Sequence, residues 1–192
     1  MSHPYFNAIP KIEFEGVDSD NPFAFKYYDK SKVLMGKTME EHLRFAVCYW
    51  HSFCWDGFDV FGGGTFNRPW HGPVNDNQAA LAKLDVAFSF FEKLGNPFFC
   101  FHDTDVMAAA ETPREHVDNF HFIVDAIEKK MASADVKLLW GTANMFSHPR
   151  YMAGASTNPN PEVVAFSALQ VKECMEATHR LGGAGYVLWG GR

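Results

Sequence analysis

Four short apolar runs, at residues 45–53, 97–101, 136–140 and 186–189, recur along this sequence roughly 40 to 50 residues apart, room each time for a loop, a helix and a return. That spacing constrains the fold more than any other feature, because it is the signature of parallel βα units. The second run, Pro97-Phe98-Phe99-Cys100-Phe101, is apolar at every position, which predicts a strand buried on both faces as in a parallel sheet. Three intervening segments carry the helical period. In residues 76–94, Leu81, Leu84, Ala87, Phe88, Phe91 and Leu94 stand three or four residues apart, and Gly95 supplies a stop. The next helix opens on Thr112-Pro113-Arg114-Glu115, a Thr cap with Pro at the first helical position and Glu at the third. The last spans 161–181 and ends at Gly182-Gly183.

Such a pattern predicts an α/β chain of the (β/α)8 barrel class or a doubly wound sheet. A dinucleotide-binding sheet is disfavoured, since no GxGxxG follows a strand and Gly62-Gly63-Gly64 is not placed to open a helix. Residues 1–44, punctuated by Pro10, Asn21-Pro22 and Gly36-Lys37, form an N-terminal extension. Residues 45–192 then form the first half of a barrel. A full barrel takes about 250 residues, and here no helix follows Trp189-Gly190-Gly191-Arg192, so the expectation is a chain truncated at the end of strand 4.

With 192 residues, 47% of them hydrophobic, a sizeable core is within reach. A net charge of −6 without any Lys/Arg block argues against nucleic acid or an anionic membrane as partner. Met1-Ser2-His3-Pro4-Tyr5 lacks the basic and apolar regions of a signal peptide, and no run reaches the ~18 apolar residues of a membrane span, which predicts a cytoplasmic protein. Cys48, Cys54, Cys100 and Cys174 form no CxxC pair and read as reduced core residues.

Chemistry concentrates where the runs end. In a parallel barrel the loops after the strands share one face, so distant strand ends converge there. Those ends carry Trp50 and His51, then His102 and Asp105, then Thr142 and Asn144, then Trp189. Aromatic walls with one imidazole and a few hydrogen-bonding groups suit a polyhydroxylated substrate. His102 with Asp105 three residues on is the best catalytic pair: a carboxylate on one ring nitrogen fixes the tautomer and leaves the other to exchange a proton with substrate. Each residue also has a plainer reading, as loop cap, core aromatic or turn. His51, His116, His121, His148 and His179 show no ligand spacing and are assigned to surface or loops, and no clustered Glu/Asp/His set suits a hard divalent cation.

Several segments, in this order, resemble the longer, bacterial type of xylose isomerase: Glu40-Glu41-His42-Leu43-Arg44-Phe45-Ala46-Val47-Cys48-Tyr49-Trp50-His51, Phe66-Asn67-Arg68-Pro69-Trp70, Phe99-Cys100-Phe101-His102-Asp103, Leu138-Leu139-Trp140-Gly141-Thr142-Ala143-Asn144, Pro149-Arg150-Tyr151 and Tyr186-Val187-Leu188-Trp189-Gly190-Gly191-Arg192. The resemblance covers essentially the whole chain, as the N-terminal half of such an enzyme. It implies a (β/α)8 barrel, a homotetramer and conversion of D-xylose to D-xylulose, with D-glucose to D-fructose as a poorer reaction. It further implies that His102 binds the cyclic sugar and assists ring opening, with Asp105 orienting its imidazole. Trp50 and Trp189 would wall the reacting carbons, Thr142 and Phe146 would line the sugar site, and Phe61 would reach a neighbouring subunit's pocket. Two divalent cations (Mg, Mn or Co) polarise the substrate oxygens in that family, and their ligands, with the catalytic Lys, follow the Trp-Gly-Gly-Arg segment. The chain alone is therefore expected to be inactive. After Asp105 the sequence reads Val106-Met107-Ala108-Ala109-Ala110-Glu111, where the family has a Pro-Glu-Gly-like turn. Two rivals are a half-barrel sugar-binding or assembly module without catalysis, and another metal-dependent barrel enzyme such as a phosphoesterase. The second is disfavoured because no basic strip or added His cluster accompanies His102.

Overall fold

A computed structural model describes residues 4–190; Met1 to His3 and the Gly191-Arg192 end of the Trp-Gly-Gly-Arg segment lie outside the described residues. The extension opens with a 3-10 turn at Pro4–Phe6, then a two-stranded hairpin, β1 (Val33–Leu34) with β2 (Lys37–Thr38), and the short helix α1 (Met39–His42). It lies against the helical layer: Ile12 N donates to Lys93 O at 2.7 Å, and Phe6 meets Phe90 edge-on at 5.6 Å.

Four parallel strands follow, β3 (Ala46–Cys48), β4 (Phe98–His102), β5 (Lys137–Thr142) and β6 (Gly185–Tyr186), paired in chain order. Between them run α2 (Asn77–Leu94), the short α3 (Asp103–Val106), α4 (Pro113–Ser133) and α5 (Pro161–Arg180). The chain is thus a mixed α/β fold on a parallel sheet. Its long helices cover one face, as βαβ crossovers of one hand require. On that face Phe99 stacks on Phe91 of α2 at 5.3 Å, and Phe101 meets Phe120 of α4 at 6.4 Å. At Gly141, paired with Phe101, a Cβ would run into the Thr178 hydroxyl; glycine is what lets α5 approach β5 this closely.

The helix ends follow their local chemistry. Asp76 accepts from Gln78 N at 2.8 Å to start α2, and Gly95 ends it with φ 69°. At α4 the Thr112 hydroxyl accepts from Glu115 N while Glu115 Oε2 accepts from Thr112 N at 3.0 Å, the reciprocal capping box that the sequence predicts. Among the described residues no helix is long and apolar enough to cross a membrane.

Two strands are shorter than expected. The 45–53 run pairs only over Ala46–Cys48; Tyr49 turns helical and Trp50–Cys54 wind into one π-helical turn closed by Trp55 N to Trp50 O at 2.9 Å. The cause is tertiary: the turn drops both Tyr49 and Phe53 into the core with their rings 5.1 Å apart, whereas a straight strand would keep them on one face but spread about 13 Å along it. The 186–189 run pairs only at Gly185–Tyr186, with a last rung from Val187 N to Gly141 O at 3.1 Å. Leu188 and Trp189 find no core or ring partner among the described residues and stay exposed.

Candidate active site at the ends of β3, β4 and β5

His102 closes β4, and Asp105 lies one turn on in α3. One carboxylate oxygen, Asp105 Oδ2, takes both the backbone N–H of His102 and its ring Nδ1, each at 2.8 Å. That double grip fixes the imidazole plane, and both side chains are nearly shielded, 12% and 9% exposed. With Nδ1 donating to the carboxylate, Nε2 carries the free lone pair, and no hydrogen bond reaches it among the described residues.

Aromatic rings frame this imidazole. Trp50, at the start of the π-helical turn, stands 4.5 Å from it between ring centres, and Phe146 meets it edge-on at 5.3 Å. Trp140 of β5 continues the wall 5.7 Å from Trp50; the sequence analysis gave it no site role, placing it only at the end of the 136–140 run. His102, Asp105, Trp50 and Phe146 are therefore together. The others are not. Thr142 is buried, and its hydroxyl donates to Val187 O, joining β5 to the chain after β6 rather than opening to solvent. Trp189 is 57% exposed and makes no ring contact with Trp50 or His102, and Phe61 stands 94% exposed in a loop.

Beneath the pair lies a carboxylate that the sequence did not flag. Asp103 is fully buried. Its Oδ1 accepts from Thr104 N and from Asn144 N, each at 2.8 Å, and its Oδ2 accepts from Gln170 Nε2 at 2.7 Å. Gln170 accepts in turn from the Tyr151 hydroxyl. His116, assigned from sequence to surface or loop, is a correction: it is buried on α4, 5% exposed, with Nε2 3.2 Å from Asp103 Oδ2 but outside hydrogen-bond alignment. Its ring packs edge-on against Phe166 at 5.4 Å. Nothing in the sequence spacing links residues 103, 116, 144 and 170; only the βα crossovers bring them together. Asn144 then folds its own loop, its side-chain Oδ1 accepting from Phe146 N at 3.3 Å and Ser147 N at 3.0 Å, and so sets Phe146 against His102.

Behind Asp105, away from Trp50, opens a cavity of about 510 Å³ whose lining includes Cys54, Lys83, Thr104, His116 and Arg150. Burial pushes the Cys54 thiol up to about 11, against the pull of Lys83, and raises Cys100 and Cys174 further. All four cysteines are free thiols. Among the described residues no group of three or more His, Cys, Asp or Glu side chains could hold a metal ion. The described residues do not fit the two-cation set that the resemblance implies.

No family model matches the sequence. Curated relatives do. Over 193 aligned residues the chain is 64% identical to a xylose isomerase of Solibacter usitatus, covering 100% of this chain and 44% of that protein. It is 57% identical to one of Burkholderia multivorans and 58% identical to one of Haemophilus influenzae, in both cases over 98% of this chain and 43% of the relative. From end to end, then, the sequence is similar to a stretch of xylose isomerase, and it spans less than half the length of those relatives, 43 to 44%.

Proposed function

We propose that this chain carries the ring-opening part of an aldose–ketose isomerase that converts D-xylose to D-xylulose and, less well, D-glucose to D-fructose. The observation that carries the reading is the His102–Asp105 pair: Nδ1 held at 2.8 Å by a carboxylate, Nε2 unengaged, with Trp50 alongside. A cyclic aldose must lose its anomeric hydroxyl proton and protonate its ring oxygen before it opens. His102 Nε2 is the base for the first transfer and, once protonated, the acid for the second. Asp105 stabilises the imidazolium between the two. Trp50 and Phe146 offer apolar faces to sugar CH groups and limit water at the opened chain.

In the whole protein the four-stranded sheet is the first half of a (β/α)8 barrel behind an extension at 1–44. Strand order equal to chain order supports this. Trp189 and Thr142 would complete the sugar site there, and Phe61, exposed in its loop, would enter a neighbouring subunit of a cytoplasmic homotetramer. The divalent cations and the hydride shift would come from the remainder of the whole protein, so the chain alone binds sugar and is inactive as an isomerase.

Nuclear magnetic resonance of the chain titrated with D-xylose tests the reading. Saturable shifts at the His102 and Trp50 ring signals are expected, with no xylulose formed in Mg2+ or Mn2+. Unmoved His102 and Trp50 signals overturn the assignment of the site, and metal-dependent turnover overturns the assignment of chemistry to the remainder. A second reading, a half-barrel sugar-binding or assembly module, draws on β3 and β6 both being edge strands among the described residues. Sedimentation separates the two: a stable symmetric dimer that binds xylitol favours the module.

A further inference from the structure

Cys54 and Lys83 meet on the far side of Asp105. Lys83 Nζ, reaching in from α2, donates to Cys54 Sγ at 3.5 Å, and Cys54 Sγ donates to the backbone carbonyl of Asp105 at 3.3 Å. Cys54 is the one thiol among the described residues with an amine in contact. Both side chains line the cavity of about 510 Å³, which gives small solutes a path to the contact. The lysine is steered there by the Tyr49 ring, 5.8 Å beneath Nζ, and no carboxylate of the described residues lies within ion-pair distance to draw it away.

An amine pressed on a thiol, both reachable from a cavity, is the starting geometry for a covalent lysine–cysteine link. We propose that Cys54 and Lys83 form a reversible N–O–S bridge, with dioxygen as oxidant. The Lys83 ammonium first gives its extra proton to water in the cavity. The S–H bond and one N–H bond then break, S–O and O–N bonds form through one oxygen atom, and the second oxygen leaves as water with the two hydrogens. Sulfur and nitrogen each give up two electrons, and dioxygen takes all of them. Burial keeps the thiol protonated, so the step begins from thiol and amine rather than from a thiolate. Lys83, on a flexible stem, can close the remaining separation, whereas Cys54 is held in its π-helical turn. Since the same sulfur donates to the Asp105 carbonyl, the bridge removes that hydrogen bond directly behind the residue that orients His102.

The test is mass spectrometry of the chain held in air, in anaerobic buffer, and in air with urea, each digested without reductant. In air the folded chain is expected to yield the Cys54 and Lys83 peptides joined, one oxygen heavier and two hydrogens lighter than their sum. The joined species should vanish with dithiothreitol, without oxygen, in urea, and in Cys54→Ser and Lys83→Arg. Unlinked peptides alone, or oxygen added to Cys54 with Lys83 free, overturn the proposal. A joined species lacking the oxygen overturns the step as written, and equal linkage in urea overturns the role of the folded contact.

Discussion

Asp103 Oδ1 accepts the backbone N–H of Asn144 at 2.8 Å, and this one bond ties the end of β4 to the loop that carries Phe146. Both Asp103 and Asn144 are buried, so their donors and acceptors have no water to fall back on. Asp103 thereby connects the segment bearing His102 to the ring that packs on it, and through Gln170 and His116 it joins α5 and α4 to the same point.

Replacing Asp103 should therefore be costly in a graded way. Asp103→Ala strands two buried donors, Asn144 N and Gln170 Nε2, and leaves His116 facing a void, an expected loss of about 3–5 kcal/mol. Asp103→Asn retains an acceptor for Asn144 but sets an amide N–H against Gln170, for about 1–3 kcal/mol. Urea unfolding of the two variants checks the order, and equal stability of Asp103→Ala and the parent would remove the hub from the account.

Gly141→Ala probes the approach of α5 to β5. The added methyl meets the Thr178 hydroxyl, with the Phe101 ring at 3.5 Å and Cys174 Sγ at 3.6 Å behind it. Overpacking of this kind costs about 1–3 kcal/mol. Thr178→Ala removes the obstructing oxygen, and with it a hydrogen bond to Cys174 O at 2.7 Å. The double variant should then be more stable than the sum of the single losses, and strict additivity in a double-mutant cycle would show that the two residues do not collide.

His148 sets up a dependence on pH. Its Nδ1 accepts from Arg150 N at 3.1 Å and Nε at 3.0 Å, capping the 3-10 turn at Pro149–Tyr151. Burial, and then the Arg150 charge, hold its pKa below the ordinary 6.5. The folded state thus binds fewer protons than the unfolded one, so this cap is fully present above 6.5 and is lost as the pH falls below it. Titrating the His148 ring signal against an unfolded reference should give a folded midpoint on the acid side, and a midpoint on the alkaline side would reverse the sign.

How much of this could be read from sequence depended on whether the cause was local. The cap at Thr112, the stop at Gly95 and the burial of Phe99 and Phe101 follow from neighbours within four residues and were legible. The strand end at Cys48 was not, because residues 45–50 are apolar without a break and only the core sites taken by Tyr49 and Phe53 decide where extension stops. His116 was misassigned for the same reason, its partner Asp103 being thirteen residues away in sequence, brought near only by the α3–α4 connection. The His102–Asp105 pair was legible because three residues is one helical turn, and the strand before it fixes where that turn begins.

Trp50 should matter more to ligand than to fold. Its ring lies 4.5 Å from His102 and 5.7 Å from Trp140. Sugar CH groups laid on this ring would gain about 0.5–1.5 kcal/mol, so Trp50→Ala should weaken xylose binding about two- to tenfold. Trp50→Phe should recover part of it. Calorimetric or resonance titration decides, and unchanged affinity in Trp50→Ala would take the tryptophan out of the sugar site.

The tautomer of His102 is the sharpest test of the pair. Asp105 Oδ2 can only accept, so it selects the form with the proton on Nδ1 and leaves Nε2 unprotonated. Asp105→Asn offers either an oxygen or an amide N–H at that position. Its amide oxygen still suits the backbone N–H of His102, whose bond to the present carboxylate is 2.8 Å, but it supplies no negative charge to the ring. Long-range proton–nitrogen correlation should show the Nδ1–H tautomer as the dominant neutral form in the parent and a mixture in Asp105→Asn. Asp105→Glu restores the charge but not the reach of one helical turn, and should recover the tautomer only in part. If the parent instead carries its proton on Nε2, the carboxylate does not set the imidazole, and His102 would meet the sugar as a donor rather than as the base that takes the anomeric proton.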